Sequence, residues 1–222
     1  MKEIDFMTTL HKSTKRDYLA RVNDKEFPKA KAALLAKKWG YDYWDGDRKI
    51  NYGGYKYIKD RWKGVIENII KFYKLPPNAK ILDIGCGKGY FLYDFLKTSP
   101  LIEIYGIDIS EYAIQNSKPE VKKNLIIGNA NHLPWEKDFF DLVVSFNTFH
   151  NFYNFDLEVS LKEMERVGKE KYLCVESYRN EEEKANLLYW QVTCEAFNTP
   201  DEWKWWFKKT GYNGEYSFIY FE

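Results

Sequence analysis

An apolar run, Ile81-Leu82-Asp83-Ile84, leads straight into Gly85-Cys86-Gly87-Lys88-Gly89 and then into Tyr90-Phe91-Leu92. A strand that turns through alternating glycines into a helix brings backbone against a nucleotide-like ligand, because a Cβ would block either the positive φ of the turn or the ligand's approach. The spacing narrows the ligand. A dinucleotide fold that holds a pyrophosphate at the helix N-terminus uses Gly-x-Gly-x-x-Gly, which would require glycine where Tyr90 stands. Here the pattern is Gly-x-Gly-x-Gly, and the acidic Asp83 precedes the first glycine by two positions.

Downstream of Pro76-Pro77 the pattern alternates strand and helix, the mark of an α/β fold with a largely parallel sheet and helices on both faces. Strands are expected near Lys80–Ile84, Glu103–Ile107, Asn124–Ile127, Leu142–Phe146, Tyr172–Glu176 and Tyr216–Phe221, with helices over Tyr90–Thr98, Glu111–Ser117, Asp156–Val167, Glu181–Phe197 and Pro200–Thr210. Upstream, two short helices are expected between Asp17 and Lys38, with Pro28 in the first turn of the second and Gly40 just past its end. The segment from Trp39 to Trp62 interleaves tyrosine and tryptophan with glycine and reads as an ordered loop, since its rings need somewhere to pack. We therefore expect residues 64–222 to form the ligand-binding core, and residues 1–63 a helical and aromatic lid region that is not an independent domain.

The strand, its acid, the glycines and the helix together resemble the first motif of the class I S-adenosylmethionine-dependent methyltransferases. The resemblance covers Lys80 to Glu176 well and the N-terminal third poorly. It implies a Rossmann-like doubly wound sheet, mostly parallel with an antiparallel last strand, and a methyl donor, S-adenosylmethionine, that leaves as S-adenosylhomocysteine. It also assigns residues. The loop Asp83, Gly85, Cys86, Gly87 and Gly89 would face the donor. Asp108, about twenty residues beyond the glycines as in other nucleotide folds, would accept from both ribose hydroxyls. Asn129 and Ala130 stand where the family commonly has Asp-Ala, beside the adenine that Ile109 would flank. Asn147 would lie beside the methionine moiety. A plain turn role for Asn129, or a capping role for Asp108, is the competing reading.

His150, just after the fourth strand, has the near-neutral titration that suits a general base, though methyl transfer from a sulfonium can proceed by alignment alone. The acceptor site is expected under Tyr41, Tyr43, Trp44, Tyr52, Tyr55, Tyr57 and Arg61, with Glu176, Tyr178 and Arg179 at the same edge after the fifth strand. No Asn-Pro-Pro-Tyr tetrad follows the fourth strand and no Pro-Cys nucleophile is present, which disfavours nucleobase methylation. With 34 basic against 33 acidic residues the net charge is +1, so no basic field calls for a nucleic-acid partner. Cys86, Cys174 and Cys194 are scattered and odd in number, pointing to a reducing, cytoplasmic setting without a zinc framework, and no metal is expected. No stretch is long enough to span a bilayer. The function the resemblance implies is methyl transfer, here expected to a small polar metabolite at oxygen or nitrogen, such as a sugar derivative or small acid. The alternatives are a non-catalytic nucleoside-binding module, a methyltransferase of nucleic acid or protein, and a nicotinamide-linked oxidoreductase, the last weakened by the glycine spacing.

Overall fold

The computed structural model describes residues 1–11, 16–52 and 56–222, and a parallel sheet organises them. Its strands are β1 (Lys80–Ile84), β2 (Glu103–Asp108), β3 (Leu125–Ile127), β4 (Phe140–Phe146), β5 (Gly168–Glu176) and β6 (Glu215–Ile219), in the order β3-β2-β1-β4-β5-β6. Short helices α1 (Thr8–His11), α2 (Tyr18–Val22), α3 (Lys29–Ala36) and α4 (Tyr41–Trp44) and the longer α5 (Lys63–Tyr73) precede it. The connections carry α6 (Tyr90–Thr98), α7 (Glu111–Gln115), α8 (Pro119–Lys122), α9 (Asn154–Val167), α10 (Glu181–Trp190) and α11 (Pro200–Thr210).

The strands read as nearly continuous apolar runs because both faces of the sheet are covered. Successive side chains alternate between the two faces. Ile81, Tyr172 and Cys174 pack with Ile69 of α5 and with Phe91 and Phe95 of α6. Their neighbours Leu82, Leu173 and Val175 pack with Leu157 and Met164 of α9 and with Trp203 and Phe207 of α11. Each such side chain, fully buried, contributes roughly 1.5–3 kcal/mol. A smaller cluster of Ala32, Ala36, Tyr43, Ile50 and Val192 joins the N-terminal helices to the loop after α10.

The last strand corrects an expectation. β6 pairs parallel with β5, Tyr172 to Glu176 opposite Glu215 to Ile219, and is not antiparallel. The connection between them contains two helices, enough chain to cross over and re-enter the sheet in the same direction. Its second helix is sharply bounded: Thr199 and Glu202 form a capping box, Pro200 opens the first turn, and Gly211 closes the helix at φ 75°. The free edge of β6 is then covered by the N-terminus, where the Ile4 N–H donates to Tyr216 O at 2.8 Å and the Tyr216 N–H to Lys2 O at 3.1 Å.

Two helix ends also differ from expectation. The turn after α3 places Trp39, not Gly40, in the left-handed region at φ 52°, and Gly40 becomes the residue before α4. Helix α10 stops at Trp190, short of Phe197, because the N–H groups of Val192 and Thr193 leave the helix to donate to the Tyr52 hydroxyl at 2.7 and 3.1 Å.

Candidate active site

The chain reverses its direction of winding between β1 and β4, so the loops after these strands diverge and leave a crevice at their carboxyl ends. A cavity of about 530 Å³ fills that crevice, well within the 300–1,000 Å³ range of small-molecule sites.

One half of the cavity is built from β1, β2 and the residues after β3. Gly85 turns at φ 80°, and a Cβ there would lie 2.0 Å from the Thr148 Oγ1 of the loop after β4, so only glycine lets the two loops meet. Asp108 ends β2 and is held from both sides: the Gly87 N–H donates to Oδ2 and the Ser110 N–H to Oδ1, each at 2.8 Å. Ser110, rather than Asp108, caps α7 through Ala113 N. Burial, opposed by those two donors, leaves the Asp108 carboxyl up at about 6. Asp83 is more buried in effect; desolvation and then the Asp108 charge push it up to about 8, and no described residue hydrogen-bonds its carboxyl. The Asn129 side chain accepts from Asn131 N at 3.1 Å, the turn role, while Asn129 also lines the cavity.

The other half lies beyond β4 and β5. Asn147 takes the left-handed conformation at φ 58° as the chain leaves β4, and a short 3-10 turn over Phe149–Asn151 then buries His150. The Nδ1 of His150 accepts a long hydrogen bond from Glu176 N at 3.4 Å, and its Nε2 stands 3.5 Å from Glu176 Oε2. Burial drives His150 down to about 3 and Glu176 up to about 8, so at neutral pH this is a contact between two largely uncharged groups rather than an ion pair. With Nδ1 accepting, the imidazole proton resides on Nε2, so His150 turns an N–H and not a lone pair toward Glu176. That geometry does not fit the general base expected of it. Glu176 Oε2 also accepts from Gln191 Nε2, and Gln191 Oε1 accepts from the Tyr52 hydroxyl at 2.6 Å.

The aromatic segment closes over both halves. The Trp44 indole donates to Ser110 Oγ at 2.8 Å, and its Cη2 would stand 2.6 Å from a Cβ on Gly87, so this ring lies against the glycine turn. Behind it Lys88, 6% exposed, holds both oxygens of Asp45 at 2.6 Å, and Tyr112 donates to the same carboxylate. Buried Asp94 on α6 fixes the far end of the segment, accepting from the Tyr57 hydroxyl at 2.7 Å and from Trp62 N at 3.2 Å.

Of the residues singled out from sequence, Asp83, Gly85, Cys86, Gly87, Asp108, Ile109, Asn129, Ala130, Asn147 and His150 line this cavity, as do Tyr43, Trp44, Tyr52, Tyr57, Arg61 and Glu176. Four do not. Gly89 is needed instead for packing, since a Cβ on it would meet Val121 at 2.8 Å and Leu125 at 3.0 Å. Tyr41 is 60% exposed and packs edge-on against Tyr112. Tyr178 is buried in the core beside Lys184, and Arg179 turns away to Glu183, Glu222 and the Tyr220 ring. Tyr55 lies outside the described residues. Sequence reasoning passed over Lys88, Thr148, Gln191, Thr193, Trp62 and Trp190. The lysine inside a glycine turn opposite an acid in the aromatic segment was a usable signal, as was Trp62 at the end of that segment; the others follow only from the path of the chain at the end of α10 and after β4.

Residues 75–211 match the methyltransferase domain family. The chain belongs to that family. This bears out the class I S-adenosylmethionine-dependent methyltransferase resemblance and the Rossmann-like architecture, apart from the direction of the last strand. Among curated relatives, the chain is 33% identical over 82 residues to the mitochondrial arginine-hydroxylase NDUFAF5 of Homo sapiens, covering 36% of this chain and 24% of that protein. It is 35% identical over 106 residues to the demethylmenaquinone methyltransferase of Lactococcus lactis, covering 44% of this chain and 41% of the relative. This methyltransferase-family chain therefore spans less than half the length of either. The YcgJ protein of Bacillus subtilis superimposes with a TM-score of 0.52 at 21% identity, over 65% of this chain and 66% of that one, a likeness of fold. No helix among the described residues is long and apolar enough to cross a membrane.

Proposed function

We propose that this chain transfers the methyl group of S-adenosylmethionine to a small polar molecule held under the aromatic segment. The observation that carries this reading is the single cavity in which the glycine turn, Asp83 and Asp108 form one half while aromatic side chains and Glu176 form the other. The residues present fit the donor. The Asp108 carboxylate keeps lone pairs beyond the two used by Gly87 and Ser110 and would accept from the ribose hydroxyls. Ile109, Asn129 and Ala130 would flank the adenine. Asp83, without a hydrogen-bond partner among the described residues, would meet the ammonium group of the donor's amino-acid end, with Gly85 and Asn147 beside it. The cation would favour the ionised form of a carboxyl that burial and the Asp108 charge keep protonated.

Bound, the donor supplies a methyl group on a positively charged sulfur that is already a good leaving group. The protein's share is alignment and exclusion of water, worth on the order of 7–11 kcal/mol for well-held reactants. Trp44, clasped by Ser110, and Asp45, clasped by Lys88, would hold the segment closed over the pair. The three cysteines are free and buried, which supports a reducing, cytoplasmic setting. Calorimetry with S-adenosylmethionine, S-adenosylhomocysteine and NAD tests the donor half: binding of NAD alone would overturn the reading. A metabolite screen with methyl-labelled donor tests the transfer.

A further inference from the structure

Glu176 is a buried acid at the carboxyl end of β5, and its surroundings make it more than a structural residue. One oxygen is fixed: Oε2 accepts from Gln191 Nε2 and faces His150 Nε2. Gln191 is oriented in turn by the Tyr52 hydroxyl, which also gathers the Val192 and Thr193 N–H groups and contacts Thr193 Oγ1 at 3.1 Å. The other oxygen, Oε1, has no hydrogen-bond partner among the described residues, and the residue lines the cavity. Three neighbours are thus spent on orienting a carboxyl whose second oxygen is left for something else. The same cavity has an apolar stretch of wall, where Trp62, Phe91 and Phe146 are in mutual ring contact at 4.9–5.3 Å.

We propose that Glu176 receives the acceptor's proton, and that the acceptor is therefore a protic molecule with an apolar body, an alcohol, phenol or amine, rather than a carboxylate. This rests on the methyltransferase reading and names the substrate class of the same site. In the step, a lone pair on the acceptor's oxygen or nitrogen forms the bond to the methyl carbon while the carbon–sulfur bond breaks, its electron pair remaining on sulfur as the neutral thioether. The proton shed by the acceptor passes to the ionised Glu176, which becomes the neutral acid and returns the proton to water once the product leaves. A carboxylate acceptor has no proton to give and would be repelled by the ionised Glu176 that the step uses. His150, whose Nε2 stands 3.5 Å from Oε2, and Gln191 position Glu176 and do not accept the proton.

Of the groups packed directly around Glu176, it is the one that titrates in the working range; Asp83 in the donor half of the cavity is also raised to about 8, and the Glu176→Gln variant tells the two apart. Arg16, whose guanidinium lies over the Trp190 and Phe221 rings, favours the carboxylate. Burial holds His150 neutral and keeps Tyr52, Cys174 and Cys194 protonated.

The test uses protein saturated with S-adenosylhomocysteine and two matched probes, benzyl alcohol and benzoate, followed through the tryptophan indole NMR signals. Benzyl alcohol should bind roughly tenfold more tightly at pH 9 than at pH 7, the ratio of ionised fractions for a group titrating near 8. Glu176→Gln should remove that dependence while leaving S-adenosylhomocysteine affinity within about twofold. Glu176→Asp should keep a pH dependence with a moved midpoint, and serves alone if the glutamine variant does not fold. The proposal is overturned by alcohol binding that is absent or independent of pH, by the same dependence in Glu176→Gln, or by tighter binding of benzoate, which would make Arg16 the acceptor's anchor. Failure of the wild-type protein to bind S-adenosylhomocysteine at all would instead overturn the methyltransferase reading itself.

Discussion

Replacing Asp108 by alanine separates what the residue does for the fold from what it does for the ligand. In the free protein its carboxylate accepts from Gly87 N and Ser110 N, each at 2.8 Å. Deleting it orphans those two buried N–H groups at about 1–3 kcal/mol each. The same deletion relieves a buried charge. A carboxyl raised from 3.8 to about 6 is less stable ionised in the fold than in the unfolded chain by roughly 3 kcal/mol at pH 8. These effects offset, so the unfolding midpoint of Asp108→Ala at pH 8 should stay close to the wild-type value. Ligand affinity has no such compensation. Losing two charge-assisted bonds to the ribose costs roughly 3–6 kcal/mol, about 10² to 10⁴ in Kd. Isothermal calorimetry with S-adenosylhomocysteine, beside urea denaturation of the free proteins, measures both quantities. A variant that folds normally and binds within threefold of wild type would refute the assignment of Asp108 to the ribose.

Other perturbations probe the frame of the site. Asp45→Asn leaves the ammonium of Lys88 buried without its counter-charge and should cost roughly 3 kcal/mol, more than Lys88→Met, which leaves the better-exposed Asp45 its bond from the Tyr112 hydroxyl; urea denaturation ranks them. Tyr52→Phe strips an acceptor from the Val192 and Thr193 N–H groups and should cost about 2–4 kcal/mol by the same assay, with no loss expected if water replaces the hydroxyl. The free protein should lose stability as pH rises. Asp108, Asp83 and Glu176 have folded-state values raised to about 6, 8 and 8, so the fold keeps protons that the unfolded chain sheds from about pH 4 upward. Their stabilisation is complete below that pH and is lost as pH passes through 6 and 8. The Tm should therefore fall between pH 5 and pH 9, and Asp83→Asn should flatten the slope; a Tm that rises over this range would contradict the burial of these groups.

What could be read ahead of the structure divides along the sheet. The donor half was legible because its pattern is local: a strand, three glycines and a helix lie within a dozen residues, even though the atoms that crowd those glycines, Thr148, Trp44, Val121 and Leu125, come from distant parts of the chain. Asp108 was legible because the length of a strand–helix–strand unit sets where the second strand must end. The sheet's far edge was not. Whether β6 enters parallel or antiparallel depends on how the two helices after β5 cross over, and on the N-terminal Lys2 and Ile4 that take the edge, contacts that span more than 200 residues. The acceptor half shows the same limit. Tyr52 and Gln191 were each visible as polar or aromatic residues, but what they do arises only where the chain leaves α10 and returns its N–H groups to a hydroxyl 140 residues earlier. His150 illustrates the physical reason most directly. Its identity and position after β4 pointed to a base, but the choice between donor and acceptor is made by the N–H of Glu176 on a neighbouring strand. A side chain's type specifies which protonation states it can adopt, and only the elements packed around it select one.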